Sequence, residues 1–197
     1  MSSGTLVQQI LGQLAGDGLS NISRRIGADE KTTGSALSTV LPLLITALAK
    51  NSSEPAGASS LHRALQKDHD GSILEDLGGF LSNPQAANGA GILGHILGGR
   101  QQTVTRSLSR GTGLDGEQVA QLLQIAAPLV MGLLGRQLQK KGLDSDTLTT
   151  FLGGQQKKEQ KADPGLAGAL GTLLDADKDG SAVDDVADIV GKLLSRR

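Results

Sequence analysis

Along this chain apolar residues recur at intervals of three and four, the spacing of one helix face, and the alternation expected of a half-buried strand is absent. Leu37, Val40, Leu41, Leu44 and Leu48 keep that spacing, and Leu123, Ala126, Ala127, Val130 and Leu134 keep it again further on. The two stretches are copies of one another. "ISRRIGADEKTTGSALSTVLPLLITAL" (22–48) aligns without a gap on "LSRGTGLDGEQVAQLLQIAAPLVMGLL" (108–134), pairing Ser23, Arg24, Gly27, Asp29, Leu37 and Pro42 with Ser109, Arg110, Gly113, Asp115, Leu123 and Pro128. Upstream, "ILGQLAG" (10–16) pairs with "ILGHILG" (92–98) after a slip of about one helical turn. Downstream, "KDHDGSILEDL" (67–77) has its echo in "DKDGSAVDDV" (177–186).

The pattern predicts an all-α protein, a helical bundle with two pseudo-repeats. Pro42 and Pro128 fall inside the apolar stretches, where a proline removes a backbone donor, so the helices are expected to be kinked or broken there. "KNSSEPAGASS" (50–60) and "GGQQKKEQKADPG" (153–165) read as polar connectors. The expected organisation is a body over 1–152 made of repeats 5–81 and 87–152, a polar linker over 153–163, and a C-terminal helical hairpin over 164–197. Small residues at Gly12, Gly16, Gly94, Gly98, Gly165, Gly168 and Gly171 suggest helices that approach one another closely.

Composition narrows the chemistry. Of the 197 residues 38% are apolar, which suffices for one large or two small cores, yet Phe80 and Phe151 are the only aromatic residues. The interior must therefore be aliphatic. The formal charge of −1 supplies no global attraction to nucleic acid or anionic lipid. Without cysteine there are neither disulfides nor thiolate metal sites. The N-terminal stretch lacks the basic and apolar regions of a secretory signal, and no run approaches the roughly 20 consecutive apolar residues that cross a bilayer. A soluble, cytoplasmic protein without a membrane span is expected.

The Asp-x-Asp-Gly-Ser segments raise the question of calcium. Read as a calcium loop, the second places Asp175, Asp177, Asp179 and Gly180 correctly, but Val186 stands where a bidentate Glu is required and Asp184 falls short of that position. Asp175, Asp177, Asp179 and Asp184 are the candidate cation ligands, with calcium as the only cofactor to consider. Helix starts explain more of the residues: Ser72 to Glu75 has the spacing of a capping box, and Ser181 to Asp184 is its shorter relative. "GAGILG" (89–94) fits a dinucleotide fingerprint in letters only, because no strand precedes it. His62, His69 and His95 lack the spacing of a helical zinc site. No catalytic pairing of acid and base emerges.

Arg24, Arg25, Arg100, Arg106 and Arg110 are the local concentrations of positive charge and the candidates for contacts to DNA phosphates. Binding to single strands is disfavoured, since stacking on bases uses aromatic platforms that this chain lacks.

"PLLITALAKN", "LHRALQKDHDGSILEDLGGFL", "GILGHILGGRQ" and "APLVMGLLGRQ" occur in an order that resembles the bacterial domain of unknown function 937, a family that includes YidB-like proteins. The resemblance implies a small all-helical bacterial protein, with a homeodomain-like arrangement of helices in the YidB-like branch. It implies no activity, so no functional residue is carried over. Function is therefore expected to be non-catalytic: a helical binding or scaffold protein whose partner is protein, including itself. Duplex DNA binding and calcium-responsive binding are the alternatives.

Overall fold

The structure is a computed structural model that describes residues 4–175, and within them the chain is all-α. The helices are α1 (Leu6–Leu14), α2 (Asp17–Ile26), α3 (Glu30–Asn51), α4 (Pro55–Lys67), α5 (Leu77–Ser82), α6 (Gly89–Leu97), α7 (Gln101–Thr112), α8 (Gly116–Lys141), α9 (Ser145–Ala162) and α10 (Pro164–Asp175). Short 3-10 turns occupy Ser72–Leu74, Pro84–Ala87 and Gly98–Arg100.

Local chemistry marks most of the helix starts. Asp29, Asp115 and Asp144 each accept a hydrogen bond from the backbone amide three residues on, at 2.8, 2.8 and 2.9 Å. These bonds satisfy amides that have no partner within the helix. Thr5 does the same for α1, and Gln8 returns the bond to complete a capping box. Gly27 and Gly113 end α2 and α7 in the left-handed region, at φ 71° and 78°. A Cβ would be strained at that φ, which is why glycine recurs at both places. The order of elements across 5–67, two shorter helices, a long apolar helix and a fourth helix, is met again across 89–162.

The long helices α3 and α8 lie at the centre, in contact with each other. Leu37, Leu41 and Leu44 on α3, like Leu122, Leu123 and Leu134 on α8, are fully buried. Both helices run unbroken through Pro42 and Pro128. Each proline forfeits one backbone hydrogen bond, at a cost of about 3 kcal/mol in a helix interior. Burying a single leucine returns about 1.5–3 kcal/mol, and each helix buries several, so continuity wins over a break. An 18-residue window of each has a mean hydropathy of 1.5, so by length and composition alone both could cross a membrane. In the fold 72% and 78% of those windows are buried, as expected of core helices.

The fourth helices are exchanged between the halves. α9 packs on α3, α4 packs on α8, and α4 and α9 pack on each other. One continuous hydrophobic core results, running from Leu6 in α1 to Leu174 in α10.

Several expectations need correction. Residues 153–162 are not a flexible linker but the second half of α9, leaving only Asp163 between α9 and α10. Gln, Lys, Glu and Ala are good helix formers, so the polar composition belongs to a solvated helix face. The inner face of this stretch is held by Leu152, which is buried, and by Gln155, whose side chain accepts from the Leu6 amide at 3.3 Å. The connector at 50–60 shrinks to residues 52–54, because Pro55 is the first residue of α4, where its missing amide costs nothing. Ser72 makes no capping box: it starts a 3-10 turn, and the helix that follows is capped by Asp76, which accepts from the Gly79 amide at 2.8 Å. Of the hairpin expected over 164–197, α10 is described; the remainder lies outside the described residues.

Candidate functional site

A large groove opens on the described surface, with a volume of about 2170 Å³. Its floor is apolar, formed by Leu48 at the end of α3, Phe80 on α5, Ile92 and Ile96 on α6, and Met131 on α8. One wall is α4 and the turn that follows it, where Glu54, Asp68, Asp70 and Asp76 line the groove. Another part of the lining is α7 with the turn before it, contributing Arg100, Thr103, Arg106 and Arg110. Thr103, Arg106 and Arg110 follow at three and four residues, so α7 turns one whole face to the groove. The walls therefore carry opposite charge.

The acidic wall is shaped by an unusual packing contact. Gly71, at φ 98°, sits so near α8 that a Cβ there would lie 3.0 Å from the Arg136 Cβ and 3.1 Å from the Gly132 carbonyl oxygen. A Cβ on Gly135 would overlap the His69 carbonyl oxygen, and one on Gly132 would overlap the Ile73 side chain. The turn at 69–73 thus fits into a notch that two glycines cut in α8. Among the described residues the close approaches expected at Gly12, Gly16, Gly94, Gly98, Gly168 and Gly171 do not occur, since none of their atoms lies within 4 Å of a Cβ at any of these positions. Small residues at the core mattered instead at Gly89, against the Gln124 backbone, and at Gly132 and Gly135. Within the turn, Asp70 accepts from the Ser72 amide at 3.0 Å, and that bond holds its carboxyl below the ordinary carboxylate range. His69 is half-buried beneath the turn; desolvation pushes its pKa down, against the opposing pull of Asp68 and Asp70. Here, then, the Asp-Gly-Ser segment is a seated turn rather than a helix cap.

The five arginines named from the sequence do not converge. Arg24 bonds to the Asn21 side chain, and Arg25 donates to the Leu81 and Ser82 carbonyls at the end of α5, at 3.4 Å each. Arg25 also lines a second, smaller depression of about 470 Å³ with Gln121 and Gln124. Only Arg100, Arg106 and Arg110 share the main groove. Arg100 donates to the carbonyl oxygen of Leu174, which Lys50 also reaches at 3.1 Å, so two cations meet on one backbone oxygen of α10. Asp68, Asp70 and Asp76 stand in the "KDHDGSILEDL" segment and Lys50 in "PLLITALAKN", but the spacing of those residues carries no signal that they line one groove.

Asp175 is the last described residue of α10; Asp177, Asp179 and Asp184 lie outside the described residues. Among the described residues no three His, Asp or Glu side chains are grouped to hold a metal ion. His62 donates through Nε2 to the Leu143 carbonyl at 3.0 Å and so ties α4 to the start of α9, while His95 is exposed at the groove. "GAGILG" opens α6 after a 3-10 turn, without a strand.

With the all-α architecture and this groove in place, comparison with known proteins decides the lineage. Residues 8–137 match the family described as Bacterial protein of unknown function (DUF937). The chain belongs to the DUF937 family. That match spans α1 to most of α8 and so includes both walls and the floor of the groove. No curated protein and no solved structure matches the chain.

Proposed function

We propose that this DUF937 protein is a non-catalytic helical binding module, built from a duplicated unit, which receives an amphipathic helix of a protein partner in its groove. The observation that carries this reading is the size of the groove together with its opposed charges. Pockets for small molecules are about 300–1,000 Å³, well below about 2170 Å³. A helix of about 15 residues, about 22 Å long and about 10 Å across, displaces roughly 1,700 Å³, which is the right scale. The floor of Leu48, Phe80, Ile92, Ile96 and Met131 suits an apolar stripe, as in helix-in-groove recognition. The walls ask for acids on the flank facing α7 and cations on the flank facing Asp68, Asp70 and Asp76. An acidic wall repels phosphates, so the same geometry favours protein over duplex DNA. A second copy can supply such a helix, and self-association would follow from that source.

The test compares the intact protein with Ile92→Glu as baits in lysate of the native host, with hydrogen exchange on the recovered complexes. The expected result is a protein held by the parent chain and lost from the variant, with the α6 and α7 amides protected in the complex. Equal recovery on both baits, or protection elsewhere, overturns the reading. The mass of the complex tells a second copy from a different protein.

A further inference from the structure

We infer that two copies of this chain assemble by exchanging halves: the first half of each, residues 4–82, packs on the second half of the other, residues 89–175, so that every groove is built from two molecules.

The distribution of contacts is the first ground. α3 packs on α8 and α9, and α4 packs on the same two helices, while the consecutive pairs α3–α4 and α8–α9 barely touch. A half on its own therefore leaves its long helix bare along the side that the other half covers. Burial of apolar surface is non-directional and indifferent to which chain supplies the cover, so the same core closes within one molecule or between two.

The strap between the halves is the second ground. Residues 83–88 are their one covalent connection, and each end of the strap is held by its own half. Arg25 of α2 donates to the Leu81 and Ser82 carbonyls at 3.4 Å, and Gly89 seats against the Gln124 backbone of α8. Neither anchor is lost when the halves part. Between them Asn88 stands at φ 51°, the one non-glycine residue at positive φ among the described residues, and its side chain makes no capping bond. That conformation is disfavoured for an L residue, and straightening the strap relieves it. A short strained strap between interdependent halves invites exchange.

The groove straddles the same divide. Leu48, Asp68 and Phe80 come from the first half, and Ile92, Arg106 and Met131 from the second. Exchange keeps each lining intact, and the dimer carries two grooves. A partner with two helices then makes its second engagement intramolecularly, an avidity that the monomer lacks. Separating the halves uncovers the whole core, so monomer and dimer interconvert only through global unfolding and each persists on dilution.

Gln9 on α1 and Gln137 on α8 belong to different halves, and their side chains meet at 3.3 Å. Since the chain has no cysteine, a short bismaleimide joins Gln9→Cys/Gln137→Cys at that contact alone. The full-length variant is refolded from urea at low and high concentration, its monomer and dimer are separated by size exclusion, and each is cross-linked and run on a denaturing gel. The expected result is a dimer whose share grows with the refolding concentration, which survives later dilution and runs as two joined chains, while the monomer runs as one. Asn88→Gly, free to adopt positive φ, should lower the dimer share several-fold. Deleting Pro84–Ala87 should leave dimer alone, with the helical circular dichroism of the parent. Absence of a dimer overturns the inference, and so does a dimer whose links all fall within single chains, which would be two closed molecules side by side. The Ile92→Glu comparison is independent of these outcomes, because the groove has the same lining in either form.

Discussion

Replacing Gly135 by alanine sets two effects of known size against each other. In a helix interior alanine is favoured over glycine by about 1 kcal/mol. The new methyl, however, would overlap the backbone carbonyl oxygen of His69 and lie 2.8 Å from its carbon, and backbone cannot turn aside as a long side chain can. Gly135 is buried in α8, so either α8 or the turn at 69–73 has to move, and overpacking of this kind costs about 1–3 kcal/mol, occasionally more. We expect the clash to win, with a net loss of up to about 2 kcal/mol and a fall in Tm of up to about 8 °C for a chain of this size. The control is Gly154→Ala on α9, where nothing lies within 4 Å of a Cβ; there the helix preference acts alone and should raise stability by about 0.5–1 kcal/mol. Urea unfolding followed by far-ultraviolet circular dichroism reads both variants, since the chain has no Trp for fluorescence. If Gly135→Ala is as stable as Gly154→Ala, the turn does not sit in the notch, and the account of the acidic wall is wrong.

Three further outcomes follow from the same geometry. His69 has its pKa lowered in the fold, so between the ordinary value near 6.5 and the depressed one the unfolded chain binds more protons; stability should be complete above about pH 6.5 and decline as pH falls below it. Tm measured at pH 7.5 and 5.5 should show that decline, and His69→Gln should reduce it. Asp29 and Asp144 are lowered chiefly by hydrogen bonds to Thr32 and Thr147, so their contribution is present above about pH 4 and is lost as pH falls through their folded values. Asn at both positions keeps a cap but does not titrate, and an acid melt of that double variant should be flatter than the parent's. Leu37→Ala and Leu123→Ala, matched positions that are both fully buried, should each cost about 2–5 kcal/mol in urea unfolding; a cost below 1 kcal/mol at either would contradict its place in the core.

Much of this fold could be read directly from residue spacing. The three- and four-residue pattern at Leu37–Leu48 and Leu123–Leu134 marks the central helices, and the paired Gly27 and Gly113 mark where their predecessors stop. What could not be read is which surfaces meet. Gly132 and Gly135 stand in an apolar stretch much as Gly12 and Gly94 do, yet only the former face a carbonyl or side chain from another element, a fact that depends on long-range packing. The polar run at 153–162 misled for a related reason: composition reports exposure, and an exposed helix face has the composition of a linker. The groove escaped notice because its lining comes from 54–76 and 100–110, and although both segments held candidate residues, nothing in their spacing joins them until α4 is placed on α8.

That placement has a lasting effect on how the protein is able to change. Because α4 covers α8 while α9 covers α3, each half owns a roof that shelters the other's centre. Severing the chain in the 83–88 turn region would yield two fragments, each without its proper cover, and they would regain a native interior only by reassociating. The two halves, though free to diverge in loops and surface, are thus bound to drift together at those crossed contacts: a bulkier residue gained on one fourth helix must be answered by a smaller one on the opposite half, never on its own.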